Sequence, residues 1–213
     1  VSTLHLVVDS EDMPARLLDD ASPSETRSTT KKVDAATRVP ALCPLSVTWM
    51  LPASALSRNR QIFDNVECLL LNDESNGAVD KVAWPPRLQR LFLDDAFNCS
   101  LDNVSWPASL REFIFLGDDD DDDYAGLFNQ PMDKVVWPAS LKTISFGYCF
   151  NQPIDEVSWP ASLQQLTFGW NFNQPIDGVS WPASLQLTFG VAFNQPIDRV
   201  SWPASLKQLT FCG

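Results

Sequence analysis

From about Ile62 onward the apolar residues of this chain recur with a fixed period. The clearest unit, WPASLQQLTFGWNFNQPIDGVS at residues 159–180, places Leu163, Leu166, Phe168, Phe172, Ile176 and Val179 at positions that its neighbours also keep apolar. Leu166 and Phe168 are two residues apart, so they face one side of a short strand while Gln165, Thr167 and Gly169 face the other. One strand per unit follows. Such a strand would leave its apolar side half exposed alone, whereas stacking successive units pairs the strands in parallel and closes a continuous core. The rest of the unit is too short and too marked by proline for a long helix. Asn173-Gln174-Pro175-Ile176 predicts a turn or extended return, and Trp181-Pro182 a second corner.

The Trp-Pro dipeptides at Trp84, Trp106, Trp137, Trp159, Trp181 and Trp202 are spaced by 22, 31, 22, 22 and 21 residues. A 22-residue period therefore carries one insertion, residues 118–126, and one deletion near Gln186. Run backward, the frame matches Cys68-Leu69-Leu70-Leu71 to a strand, so a degenerate first unit begins near Ile62. About seven coils are expected over residues 62–213, the last incomplete. Residues 1–61 show no sustained period and predict an irregular, partly disordered region or a short cap. Leu51-Pro52-Ala53-Ser54 echoes the repeat but falls out of frame.

Phe-Asn-Gln-Pro followed by Ile or Met begins at Phe128, Phe150, Phe172 and Phe193, with a looser copy at Phe97. Alternating with the Trp-Pro-Ala-Ser-Leu segments, this resembles the FNIP repeat, a variant of the leucine-rich-repeat class. The resemblance implies a β-rich, right-handed, leucine-rich-repeat-like solenoid with few or no long helices. It also implies an interaction module without activity of its own.

Charge narrows the partner. The net charge is −12, and it belongs to the repeats: residues 62–213 hold 20 acids and 8 bases, residues 1–61 seven of each. That sign disfavours nucleic acid, which is bound largely through Lys and Arg, and disfavours anionic membrane surfaces. Cys43, Cys68, Cys99, Cys149 and Cys212 are odd in number and irregular in spacing, which fits a reducing, cytoplasmic setting better than a disulfide framework. Val1 in place of Met and an end at Gly213 directly after a strand predict a fragment of a longer protein.

Catalytic patterns are missing. His5 is the sole histidine, and no phosphate-cradling glycine loop or G-x-S-x-G elbow occurs, so neither an enzyme nor a cofactor is expected. Asn98, Asn129, Asn151, Asn173 and Asn194 form a column that predicts a structural ladder satisfying backbone groups of adjacent coils. The Trp column predicts a core wall. Asp80, Asp102, Asp133, Asp155, Asp177 and Asp198 form a further column, for which a side-chain bond to the Asp's own turn is expected ahead of calcium.

Partner-binding candidates lie on two surfaces. The outward sheet face changes from charged and apolar (Arg90, Phe92, Glu112, Ile114) to small and polar, which suits an interface centred on Phe92 and Ile114. The rim after each strand carries the variable residues, including Tyr148 and Trp170, and the acidic run Asp118, Asp119, Asp120, Asp121, Asp122 and Asp123. A protein partner of basic character is the expectation. Two alternatives stand beside it. One is a self-assembling spacer associating end to end through its last, uncapped coil, which light scattering would detect. The other is the targeting segment of a larger enzyme.

Overall fold

The computed structural model describes residues 48–51, 64–71, 79–116 and 126–212. Among these residues eight short strands follow one another: β1 (Thr48–Leu51), β2 (Cys68–Leu71), β3 (Arg90–Leu93), β4 (Glu112–Phe115), β5 (Thr143–Ser145), β6 (Gln165–Thr167), β7 (Gln186–Phe189) and β8 (Gln208–Phe211). All are parallel, and each pairs with the next in a single sheet ordered β1 to β8. No helix interrupts the described residues. This is a β-solenoid with one strand per coil.

Three turns bend each coil, and each has its own sequence cause. After the strand, a turn closes through Phe150 N–H to Gly147 O, repeated at Phe172 and Phe193. Next, Val157 N–H donates to Ile154 O, repeated at Val82, Val135, Val179 and Val200, with the Asp column at the turn's centre. Finally, Leu163 N–H donates to Pro160 O in Trp-Pro-Ala-Ser-Leu, repeated at Leu88, Leu110, Leu141 and Leu206. Proline suits a position whose N–H no turn requires.

The core is an aromatic spine. Phe115, Phe146, Phe168 and Phe189 from the strand ends meet Phe128, Phe150, Phe172 and Phe193 from the first turns at 4.0–4.2 Å within a coil, and the rings stack on their counterparts 5.4–6.2 Å away between coils. Offset stacks of this kind add about 0.5–1.5 kcal/mol per pair beyond burial. Leucines at 88, 110, 141, 163 and 185 fill the opposite corner.

The sheet begins upstream of Ile62, because β1 pairs with β2 from Thr48↔Cys68 to Leu51↔Leu71. Leu51 ends that strand, whereas the Trp of Trp-Pro-Ala-Ser stands at a corner six residues before one. Pro52 to Ser54, the rest of the echo, lie outside the described residues.

The insertion leaves the stack undisturbed. Leu116 N–H still donates to Leu93 O before it, and Leu127 N–H to Asp95 O after it. Gly126, at φ +60, lies against Leu116, so the excursion departs and returns at one point on the rim. The left-handed backbone there favours glycine.

The deletion near Gln186 is absorbed in the corner just before β7. β7 keeps its register, Gln165↔Gln186 and Leu166↔Leu187, and the strain appears at Ser184, whose φ is +59. Ser109, Ser140 and Ser162 each donate to a leucine carbonyl of the preceding coil (Leu88, Leu110, Leu141), a bond Ser184 does not repeat. A left-handed conformation costs a non-glycine residue about 1–2 kcal/mol, partly offset by glycine's freer unfolded chain. Ser184→Gly is therefore expected to raise stability by about 0.5–1 kcal/mol in a denaturant titration, and a destabilised variant would disprove strain at this corner.

Candidate protein-binding rim and sheet face

The outward face of the sheet divides in two. Across β2 to β4 it forms a second apolar cluster, with Cys68, Leu70 and Phe92 buried and Ile114 and Leu116 half-buried against them. Phe92 is 3% exposed, so it offers no surface to a partner, whereas Ile114 offers part of one. The expected interface centred on Phe92 is corrected accordingly: a partner on this face would meet Ile114 and the Arg90–Glu112 ion pair beside it, 3.6 Å apart. Across β5 to β8 the face is polar. There Thr143 Oγ1 donates to Gln165 Oε1 at 3.2 Å and Gln165 Nε2 to Gln186 Oε1 at 3.0 Å.

The asparagine column lies on the return path and is bonded from coil to coil. Asn129 N–H donates to Asn98 Oδ1, Asn151 N–H to Asn129 Oδ1, Asn173 N–H to Asn151 Oδ1 and Asn194 N–H to Asn173 Oδ1, all at 2.9–3.0 Å. Sequence reasoning missed the second half of this ladder. Gln130, Gln152, Gln174 and Gln195 each donate Nε2 to the same asparagine oxygen at 2.9–3.0 Å. Their recurrence in Asn-Gln-Pro was the available signal.

The tryptophans form a wall. In the column, Trp137 and Trp181 are buried, Trp84, Trp106, Trp159 and Trp202 are half-buried against the core, and the Nε1 atoms of Trp84, Trp106, Trp137, Trp159 and Trp181 are enclosed without a hydrogen-bond partner. Phe113 meets Trp106 and Trp137 edge to face at 5.0 and 5.3 Å, and Phe189 meets Trp181 likewise at 6.4 Å. Aromatic faces of this kind are weak acceptors for N–H groups.

The aspartate column behaves otherwise than its recurrence suggested. The turns at Asp80, Asp133, Asp155, Asp177 and Asp198 close in the main chain, from the Val N–H to the carbonyl of Val79, Met132, Ile154, Ile176 and Ile197, while Asp102 N–H donates to Ser100 Oγ, so the column's carboxylates do not make the turns. Asp133, Asp155, Asp177 and Asp198 are exposed, and Asp198 makes only a 4.0 Å solvent-facing pair with Arg199. A short, solvated side chain at the centre of a turn accounts for the column.

The rim after the strands is the most distinctive surface. Cys149 N–H donates to Gly126 O, Asn171 N–H to Tyr148 O and Ala192 N–H to Trp170 O, so Gly126, Tyr148, Trp170 and Val191 occupy one column in four successive coils. Tyr148 and Trp170 stack with centroids 5.8 Å apart and planes 16° apart. Trp170 is 48% exposed and Val191 43%. The glycines that begin these turns bring the backbones into contact: a Cβ on Gly169 would stand 2.0 Å from Gly147 O, and one on Gly190 2.1 Å from Gly169 O. The Phe-Gly recurrence signalled this column, which sequence reasoning also passed over. Asp118 to Asp123 lie outside the described residues.

No match was found among curated proteins. The FNIP repeat model matches at residues 128–171, 150–186 and 172–213. Among solved structures, the chain is similar to CroV588, described as a novel circular LRR protein, with 31% identity and a TM-score of 0.53. That match covers 78% of this chain and 26% of the other, so the chain spans about a quarter of that protein's length. Residues 128–213 are thus FNIP repeats, set in a leucine-rich-repeat-like parallel β-solenoid.

Proposed function

We propose that this solenoid is a non-catalytic protein-binding module whose contact surface is the rim after the strands, continued onto the sheet face at Ile114. The observation carrying the reading is the run Tyr148, Trp170 and Val191, which presents apolar side chains in three successive coils on backbones that glycines bring into close contact. Exposed, pre-positioned aromatic residues are what interface hot spots are made of. The acidic balance of the repeats, and the aspartates that the sequence inserts between Leu116 and Gly126, favour a partner of basic character.

The fold itself gives no reason for these side chains. Val191 and Trp170 occupy a turn position that Asp95 fills in an earlier coil, so the coil tolerates any of them. Trp170→Ala is expected to weaken binding of a captured partner about 10-fold or more, the size of a hot-spot truncation. Thr188→Ala, on the polar part of the sheet face, should leave affinity within about twofold. Affinity unchanged both by Trp170→Ala and by replacing Asp118 to Asp123 with serine would remove the rim from the interface.

A further inference from the structure

We propose that the partner presents an anionic group, a carboxylate or a phosphate, to the margin before the strands, where Arg111 and Lys142 form its docking point; the inference rests on the protein-binding reading above. Main-chain bonds fix the column in which these two bases stand. Gln89 N–H donates to Glu67 O, Arg111 N–H to Gln89 O, Lys142 N–H to Arg111 O and Gln164 N–H to Lys142 O, so the five residues occupy one position in successive coils. The margin presents, coil by coil, an acid, an amide, two bases and an amide. Of the eight bases in residues 62–213, Arg87, Arg90, Arg111, Lys142 and Lys207 stand at the start of a strand or within three residues before it, whereas the described rim after the strands holds no lysine or arginine.

Arg111 and Lys142 are exposed. Arg90 is paired with Glu112 at 3.6 Å, whereas Arg111 and Lys142 pair with no carboxylate of the described residues. Adjacent coils are about 4.8 Å apart, so two unpaired cations stand side by side. Like charges so placed repel, and an anion between them relieves the repulsion. A carboxylate or phosphate accepts from the guanidinium fork and from the ammonium together. Gln89 and Gln164, one coil to either side, continue the strip with donors that add no charge. Glu67, two coils from Arg111, bounds it at that end.

The size of an interface ties this margin to the aromatic rim. Tyr148, Trp170 and Val191 are three partly exposed side chains, whereas a stable interface buries about 800 Å² on each partner, so the contact has to extend beyond them. Lys142 and Tyr148 stand at the two margins of one coil, six residues apart in the sequence and at most roughly 20 Å apart in space. The sheet face between the margins carries Thr143, Ser145, Gln165 and Thr167, all uncharged and able to hydrogen-bond. A partner that crosses this face meets rings at one margin and cations at the other. Such a polarised footprint fixes the orientation in which the partner docks.

The test is a titration of the labelled chain, at low salt, with three acetylated peptide amides: penta-glutamate, phosphoserine flanked by glycines, and penta-glutamine. NMR signals of Gln89, Arg111, Lys142 and Gln164 are read. At least one anionic peptide is expected to shift these signals with millimolar affinity, the tighter of the two naming the partner's anion, and the glutamine peptide should leave them in place. Arg111→Gln and Lys142→Gln should each weaken the response about threefold, Lys134→Gln should leave it within about 1.5-fold, and salt at about 1 M should abolish it. Signals unmoved by both anions, an equal response to penta-glutamine, or an unchanged response when Arg111 and Lys142 are both glutamine would overturn the inference. Should Trp170→Ala release a protein partner while the anions leave these signals untouched, the protein-binding reading stands and the anion site falls. Should the anions shift them while Trp170→Ala leaves partner affinity unchanged, the basic margin stands and the aromatic rim falls.

Discussion

Gly169→Ala should lower the melting temperature by about 6–12 °C, because the added carbon has no free space to enter. It would stand 2.0 Å from the carbonyl oxygen of Gly147, 2.5 Å from that carbonyl carbon and 3.0 Å from the amide nitrogen of Tyr148. These are backbone atoms of the adjacent coil, held by the sheet on one side and by Asn171 N–H to Tyr148 O on the other. No rotamer change can relieve the contact, so the coils must separate locally. Overpacking of this kind costs about 3 kcal/mol or somewhat more, and each kcal/mol moves the melting point of a chain this size by roughly 2–4 °C.

The other glycines grade the effect. A Cβ on Gly190 would meet Gly169 O at 2.1 Å, so Gly190→Ala should be as damaging. On Gly147 the nearest atom is Gly126 Cα at 3.1 Å, and a smaller loss is expected. Gly178 has only the Asp155 Cβ at 3.5 Å, an ordinary contact, so alanine there should be neutral or stabilising by about 0.4–1 kcal/mol through the unfolded chain. Thermal melts of the four variants, read by far-ultraviolet circular dichroism, should follow that order. Equal melting points for Gly169→Ala and Gly178→Ala would mean that the coils are not packed backbone to backbone.

What the sequence revealed, and what it hid, follows from which features repeat. Strand positions, the insertion and the deletion were legible because Leu166, Phe168 and their counterparts recur at a fixed offset from Trp-Pro. The Asn ladder was legible for the same reason. The Gln half of it was not, because glutamine in Asn-Gln-Pro reads equally well as a solvated turn residue until its Nε2 is seen on the asparagine oxygen. Phe92 was misread as a surface residue because alternation fixes which side of a sheet a residue faces, and not whether that side is covered. The aspartate column misled in a related way. Its position in a turn was readable, but whether the side chain or the main chain closes that turn is a matter of geometry. The rim aromatics occupy positions the coil leaves unconstrained, so their exposure was readable while their stacking was not.

The asparagine column permits a comparison in which chemistry is held constant and only the neighbouring coil differs. Asn129 Oδ1 accepts from Asn151 N–H at 2.9 Å and from Gln152 Nε2 at 3.0 Å, in a partly buried position. Asn129→Ala strands both donors. A buried donor left without an acceptor costs about 1–3 kcal/mol, and partial access to water lowers the sum for two, so a loss of about 2–4 kcal/mol is expected. Asn194 occupies the same column but is exposed, and the bond it makes uses its backbone N–H to Asn173 Oδ1, which alanine keeps. Asn194→Ala should therefore change stability by no more than about 0.5 kcal/mol. Urea titrations of the two variants decide the matter. A large loss in Asn129→Ala beside a negligible one in Asn194→Ala assigns the stabilisation to the coil-to-coil bond. Equal losses would assign it instead to the conformation of the Phe-Asn-Gln-Pro turn, and the ladder would then be a consequence of stacking and not one of its causes.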